Sequence, residues 1–144
     1  MTPRQVDLIR DSWAAVEPIA DVAATLFYDR LFEQDPAIRR MFRSTDMAAQ
    51  KKNLMQTLTV VVRSLDHLEQ LVPAVQALGR RHGGYGVKPE HYEMVGGALL
   101  WTLGQGLGDA FTPELSEAWA EAYSILATVM IDAAEAAAQE GVAA

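Results

Sequence analysis

From Val6 to Val129 the apolar residues of this chain recur at spacings of three and four, and nowhere do they alternate with polar ones. A period near 3.6 buries one stripe of a helix, whereas a half-buried strand needs a period of two, so the pattern commits the chain to an all-α fold. Val6, Ile9, Trp13 and Val16 share one face of a first helix, which Thr2, Pro3 and Gln5 open in the pattern of a capping box. A second helix is predicted over about 21–34, carrying Leu26, Phe27, Tyr28, Leu31 and Phe32. Asp35 and Pro36 then cap and open a short helix ending near Phe42, and 43–46 reads as a loop with Thr45 or Asp46 as the next cap. Two further helices are predicted, over about 47–64 (Leu54, Leu58, Val61, Leu65) and about 68–82 (Leu71, Val75, Leu78), the second stopped by Gly83 and Gly84. Pro89 opens a longer helix through Tyr92, Val95, Leu99 and Leu103 that runs out at Gly104, Gly106 and Gly108. Thr112 and Pro113 start the last, with Leu115, Trp119, Leu126 and Val129 inward and an alanine-rich tail after Ala133 expected to fray. Helices this unequal suit a wrapped α-fold better than a regular four-helix bundle.

Composition narrows the function. A chain of 144 residues, half of them hydrophobic, supports one core, and no linker or repeat divides it, so 1–144 is expected to form a single domain. The net charge of −7 repels phosphate backbones and anionic lipid, which disfavours nucleic-acid and membrane partners. Without cysteine there are neither disulfides nor thiolate metal sites. No apolar run approaches the roughly 18 residues that span a bilayer. The N-terminus reads as a helix start rather than a secretory signal, so a cytoplasmic protein is expected.

The informative residues are polar ones on apolar stripes. His82 follows Leu78 by four residues and Val75 by seven, which sets its imidazole on the stripe of its helix, in the last turn before the glycines. A buried imidazole needs a partner, and both a metal and a backbone carbonyl qualify. Gln50 begins the stripe of Leu54 and Leu58, or else stands in a first turn open to water. Tyr28 accompanies Phe27, Leu31 and Phe32, where an ordinary core tyrosine is equally at home. Taken together, a histidine opposite a tyrosine and a glutamine across an apolar slot would suit a flat cofactor with one axial ligand and one open face. Other chemistries find no support. His67 and His91 are expected at the surface, the three histidines lack zinc spacing, and neither a phosphate loop nor a nucleophile elbow is present.

Five stretches carry a family resemblance: DLIRDSW (7–13), LFYDRLFEQDPAIRRMF (26–42), QKKNLMQTL (50–58), LGRRHGGYGVKPEHYEMVG (78–96) and LGDAFTPELSEAWAEAYSILATVM (107–130). In order and spacing the chain resembles the globins, specifically bacterial single-domain globins close to flavohaemoglobin globin domains and to neuroglobin. The resemblance implies a globin fold of about seven to eight helices wrapped around haem b. It makes His82 the proximal iron ligand, Phe42 the ring stacked on the porphyrin, and Pro36 the opener of the short helix before it. Tyr28 and Gln50 become the distal pair and Leu54 the distal aliphatic residue, while Leu78, Val87, Tyr92 and Val95 line the proximal side and the haem edge.

Three departures bear on function. Neuroglobin-like relatives place an iron-closing histidine where Gln50 stands, so this resemblance implies an open sixth site. Flavohaemoglobins complete a proximal network with a glutamate, but the equivalent here is Ala134, with Glu135 one residue off. A basic residue that meets a haem propionate is replaced by Asn53, leaving Lys51, Lys52 or Arg81 to serve. The implied function is reversible, high-affinity O2 binding, with NO dioxygenation or nitrite reduction supported by a separate reductase, and with NO and CO as further ligands. A haem-based gas sensor or interaction domain is the alternative. A haem-free helical domain is the reading that a missing Soret band would favour.

Overall fold

A computed structural model describes residues 1–143. Seven α-helices run Pro3–Val16 (α1), Ala20–Gln34 (α2), Pro36–Met41 (α3), Met47–Arg63 (α4), Val72–Gly84 (α5), Pro89–Leu107 (α6) and Pro113–Ala143 (α7), with 3-10 turns at Glu17–Ile19, Leu65–Gln70 and Gly108–Ala110. No strand occurs among the described residues. The helix starts are those the sequence encodes. Thr2 Oγ1 accepts from the Gln5 amide at 3.1 Å and the Thr2 amide donates back to Gln5 Oε1 at 2.8 Å. Asp35 caps α3 through the Ala37 amide at 2.9 Å, and Asp46, rather than Thr45, caps α4 through the Ala49 amide at 3.3 Å.

Three helix ends differ from expectation, each for a physical reason. The helix expected from about 68 begins at Val72, because Pro73 takes a first-turn position where its missing N–H is harmless, and the preceding segment tightens into the 3-10 turn. Gly83 and Gly84 do not stop α5 but end it from within; the chain leaves the helix at Tyr85 and turns at Gly86, whose φ of 83° is left-handed. The tail after Ala133 stays helical through Ala143, as alanine, the strongest helix former, allows.

The core gathers Ile9, Trp13, Phe27, Tyr28, Leu31, Leu103 and Trp119. Its buried polar groups are paired. Trp119 Nε1 donates to Ser12 Oγ at 2.9 Å, Ser12 Oγ donates to the Ile9 carbonyl at 2.7 Å, and Trp13 Nε1 donates to Thr59 Oγ1 at 3.1 Å. Because an unmade buried bond costs on the order of 1–3 kcal/mol, these pairings lock α1 against α7 and α4.

What positions the site is how α4 and α5 are packed. α4 leans on α2 and α1, whereas α5 lies along α7, so these consecutive helices have different partners. Glycine makes the α5–α7 approach possible. A Cβ added at Gly79 would lie inside the backbone of Met130, and one added at Gly83 would meet the Ala134 methyl at 3.0 Å. Leu78 and His82 stand roughly a quarter to a third of a turn round from that glycine face, at about 100° per residue. Gly79→Ala is therefore expected to destabilise the fold by about 1–3 kcal/mol, although alanine in a free helix would gain roughly 1 kcal/mol. Gly84→Ala, with nothing within 4 Å of the new methyl, is the control and is expected to be neutral or stabilising in urea unfolding.

Candidate functional site

His82 sits in the last turn of α5, half-buried, and its Nδ1 lies 2.8 Å from the Leu78 carbonyl one turn earlier. A carbonyl oxygen only accepts, so Nδ1 carries the hydrogen, and the neutral ring presents its lone pair at Nε2. That nitrogen makes no hydrogen bond among the described residues. The loop after the helix straps this residue down: the Tyr85 and Val87 amides both donate to the His82 carbonyl at 3.1 Å. An imidazole with one nitrogen held by backbone and the other uncommitted is the arrangement of a metal-binding histidine.

On the other element, α2 buries Tyr28 between Phe27 and Phe32, and Gln50 in the first turn of α4 donates its amide to the Tyr28 hydroxyl at 3.1 Å. The tyrosine oxygen is thus used as an acceptor and its own proton is left uncommitted. Burial pushes the Tyr28 hydroxyl above its ordinary pKa, with the Gln50 bond pulling the other way, so the group stays protonated at neutral pH. Phe42, at the end of α3, closes the aromatic group, its ring centroid 5.4 Å from Phe32 and 5.7 Å edge-on from Tyr28. The sequence set Phe32 on the helix beside Tyr28 but assigned it no place in the site, although its spacing of four from Tyr28 was the available signal. Leu54, a turn beyond Gln50, borders a wholly apolar cavity of about 20 Å³ with Phe27, Leu58 and Leu99.

The remaining predicted residues fall into two groups. Phe42, Gln50, Leu54, Leu78, Val87 and Val95 are all half-buried, while Tyr92 is buried. Tyr92 and Val87 border a second hollow of about 440 Å³ between the end of α5, the start of α6 and α7, together with Arg80, Lys88 and Glu135. The Tyr92 hydroxyl there is buried with no partner, and burial raises its pKa. Ala134 packs its methyl toward Gly83, and Glu135 is exposed, so no carboxylate reaches the His82 Nδ1, whose partner is the Leu78 carbonyl. His67 and His91 lie at the surface as expected, each partly covered. The former lies 2.8 Å from the Asp66 carboxylate and the latter accepts from the Lys88 amide at 2.9 Å.

These residues suit a haem and little else that holds metal. No group of three or more His, Asp or Glu side chains is assembled to hold an ion among the described residues. A lone histidine can hold iron firmly only when the metal brings its other ligands, as a porphyrin does. Phe42→Ala is accordingly expected to speed haem loss severalfold or more, since it removes a large apolar contact worth a few kcal/mol. Haem transfer to an acceptor apoprotein measures this, with urea unfolding of the haem-free protein as the reference for simple core damage.

The comparisons agree with the geometry. The globin family profile matches residues 25–130. The chain is 30% identical over 130 residues to a flavohemoprotein of Bacillus subtilis, an alignment covering 89% of this chain and 33% of that protein. It is also 30% identical over 143 residues to neuroglobin of Tetraodon nigroviridis, covering 90% of each. In structure it overlays with a TM-score of 0.86 and 26% identity on an engineered carbene transferase from Rhodothermus marinus, whose parent is described as a candidate nitric oxide dioxygenase, covering 100% of this chain and 99% of that one. This chain belongs to the globin family. It spans about a third of the length of the flavohemoproteins it matches. No helix among the described residues is long and apolar enough to cross a membrane.

Proposed function

We propose that this globin holds haem b through His82 Nε2 and binds a diatomic gas, O2 foremost, on the side of Tyr28 and Gln50. When bound, haem supplies an iron that takes one such gas, lends O2 partial negative charge, and with NO present can convert the pair to nitrate. The chain's own contribution lies in its donors and walls. The Gln50–Tyr28 hydrogen bond is the observation that carries the reading, because it fixes the phenol as an acceptor from one side and leaves its proton to be donated to a gas ligand. A hydroxyl polarised by an incoming hydrogen bond donates more strongly. Apolar Phe42, Leu54 and Val95 keep water from competing for that proton.

The proximal side points the same way. A histidine whose Nδ1 is backed by a carbonyl rather than a carboxylate is a moderate rather than a strong electron donor at Nε2, which suits reversible gas binding. The named relatives support NO as a second substrate, and turnover then draws electrons from a reductase. The test is spectroscopic. Purified protein is expected to show an intense Soret band, a reversible O2 spectrum in the ferrous form, and NO-dependent nitrate formation when a reductant is supplied. Protein reconstituted with haem that shows no Soret band would end the reading; gas binding without nitrate would favour a sensor or carrier.

A further inference from the structure

The cations of this acidic chain are placed unevenly. Of its 12 lysines and arginines, five (Arg39, Arg40, Arg43, Lys51, Lys52) stand within residues 39–52 beside the single acid Asp46, and three (Arg80, Arg81, Lys88) stand within 80–88 with no acid at all. The remaining four share the rest of the chain with 18 of the 19 acids. Among those four, Arg4 is paired with Glu114, Arg10 with Asp66, and Arg30 is laid over Trp101 at 5.0 Å. None of the eight makes an ion pair among the described residues, and all but the half-buried Lys51 are exposed. The unpaired positive charge of the molecule is therefore concentrated in two short segments.

α4 runs toward the 3-10 turn at Leu65–Gln70 and α5 runs away from it, so the start of α4 and the end of α5 both lie at the ends of their helices far from that turn. The first segment carries Gln50 and the second His82. Each segment also exposes a large apolar side chain, Met41 at 38% and Tyr85 at 70%. The Tyr85 ring lies 6.3 Å from the His82 ring. Nearby acids are few: Asp35 and Asp46 are spent capping α3 and α4, and Glu90 and Glu135 stand at the edge of the second segment. Two haem propionates would neutralise only part of a cluster this size.

We propose that these two segments together form one docking surface for an acidic one-electron donor protein, a flavin or iron–sulfur protein with carboxylates around its exposed cofactor edge. The proposal rests on the haem reading above. One electron leaves the donor's cofactor, oxidising it by one equivalent, and reduces ferric haem iron to ferrous. Met41 and Tyr85 supply the apolar anchors, and the eight cations steer the encounter. The occupant is a compact protein rather than nucleic acid or an anionic bilayer, because the acids over the remaining surface repel an extended polyanion.

The sign of the salt dependence tests it. Two net-acidic proteins that meet at random react faster as salt screens their repulsion; docking through a basic patch makes the reaction slow down instead. The probe is reduced flavodoxin, an acidic one-electron flavoprotein, mixed in stopped flow with the ferric haem-loaded protein from about 20 mM salt upward. The expected rate falls with salt, and at low salt the Arg39→Glu/Arg40→Glu/Arg80→Glu variant loses about tenfold or more and reverses the trend. The milder Arg39→Gln/Arg40→Gln/Arg80→Gln variant guards against misfolding, and Arg63→Glu, away from both segments, is expected to change little. Amide shifts in the ¹⁵N-labelled protein on adding oxidised flavodoxin are expected to map to 39–46 and 83–86, independently of turnover and with or without haem. A rate that rises with salt in the parent, amide shifts elsewhere, or corner-dependent binding to duplex DNA or anionic vesicles but not to flavodoxin overturns the proposal. A protein that takes no haem yet shows the mapped shifts would sink the haem reading and leave the docking surface standing.

Discussion

His82→Ala is expected to abolish stable haem binding while leaving the helices in place. The substitution removes Nε2, the one nitrogen on this stripe with no hydrogen bond, and no second histidine shares the stripe, since His67 lies in the 3-10 turn at Leu65–Gln70 and His91 in the first turn of α6. The folding cost is small by comparison. The lost Nδ1 bond to Leu78 is worth about 0.5–1.5 kcal/mol, and the carbonyl it leaves lies in a half-buried last turn that water can reach. Far-ultraviolet circular dichroism is therefore expected to stay near that of the parent while the Soret band is lost or weakened. Added imidazole, filling the space the side chain vacates, is expected to restore haem retention in part. Unchanged ferrous spectra in the alanine variant would show that His82 is a core histidine satisfied by its carbonyl and nothing more.

Much of this was legible in the residues because the relevant information is local. Helix periodicity placed Val6, Ile9, Trp13 and Val16 on one face, and all four are buried. The caps at Thr2 and Asp35 form as their side chains dictate, since capping is settled within three or four residues. The boundaries of α5 were misread where a distant element intervenes. Gly83 looks like a stop signal in one dimension, but α7 demands a residue without a side chain there, so the glycine serves packing inside the helix. The place of Phe32 in the site was missed for the opposite reason: its spacing from Tyr28 was visible, yet its contact with Phe42 depends on how α3 folds back. The unpaired Tyr92 hydroxyl was also invisible, because being without a partner is a property of the whole neighbourhood.

Tyr28→Phe is expected to raise the O2 dissociation rate by roughly tenfold or more, corresponding to a bond worth about 1.4 kcal/mol or above. The phenol is the better placed of the two distal donors: it is buried, stays protonated at neutral pH, and already accepts from Gln50, so its proton has no competing use. Gln50→Leu is expected to act mainly through that tyrosine. Losing the amide frees the phenol to rotate and weakens its polarity, so O2 release rises by less than in the tyrosine variant. Because the two side chains are hydrogen-bonded to each other and are proposed to face one small ligand, the double variant is expected to fall short of the product of the two single effects. CO carries little negative charge when it binds iron, so its dissociation is expected to change far less in all three variants. Stopped-flow displacement of O2 and of CO separates the cases. Similar changes for both gases would mean that Tyr28 and Gln50 shape the pocket by volume. Additive effects on O2 alone would mean that each donates separately, and that the hydrogen bond between them breaks when the gas arrives.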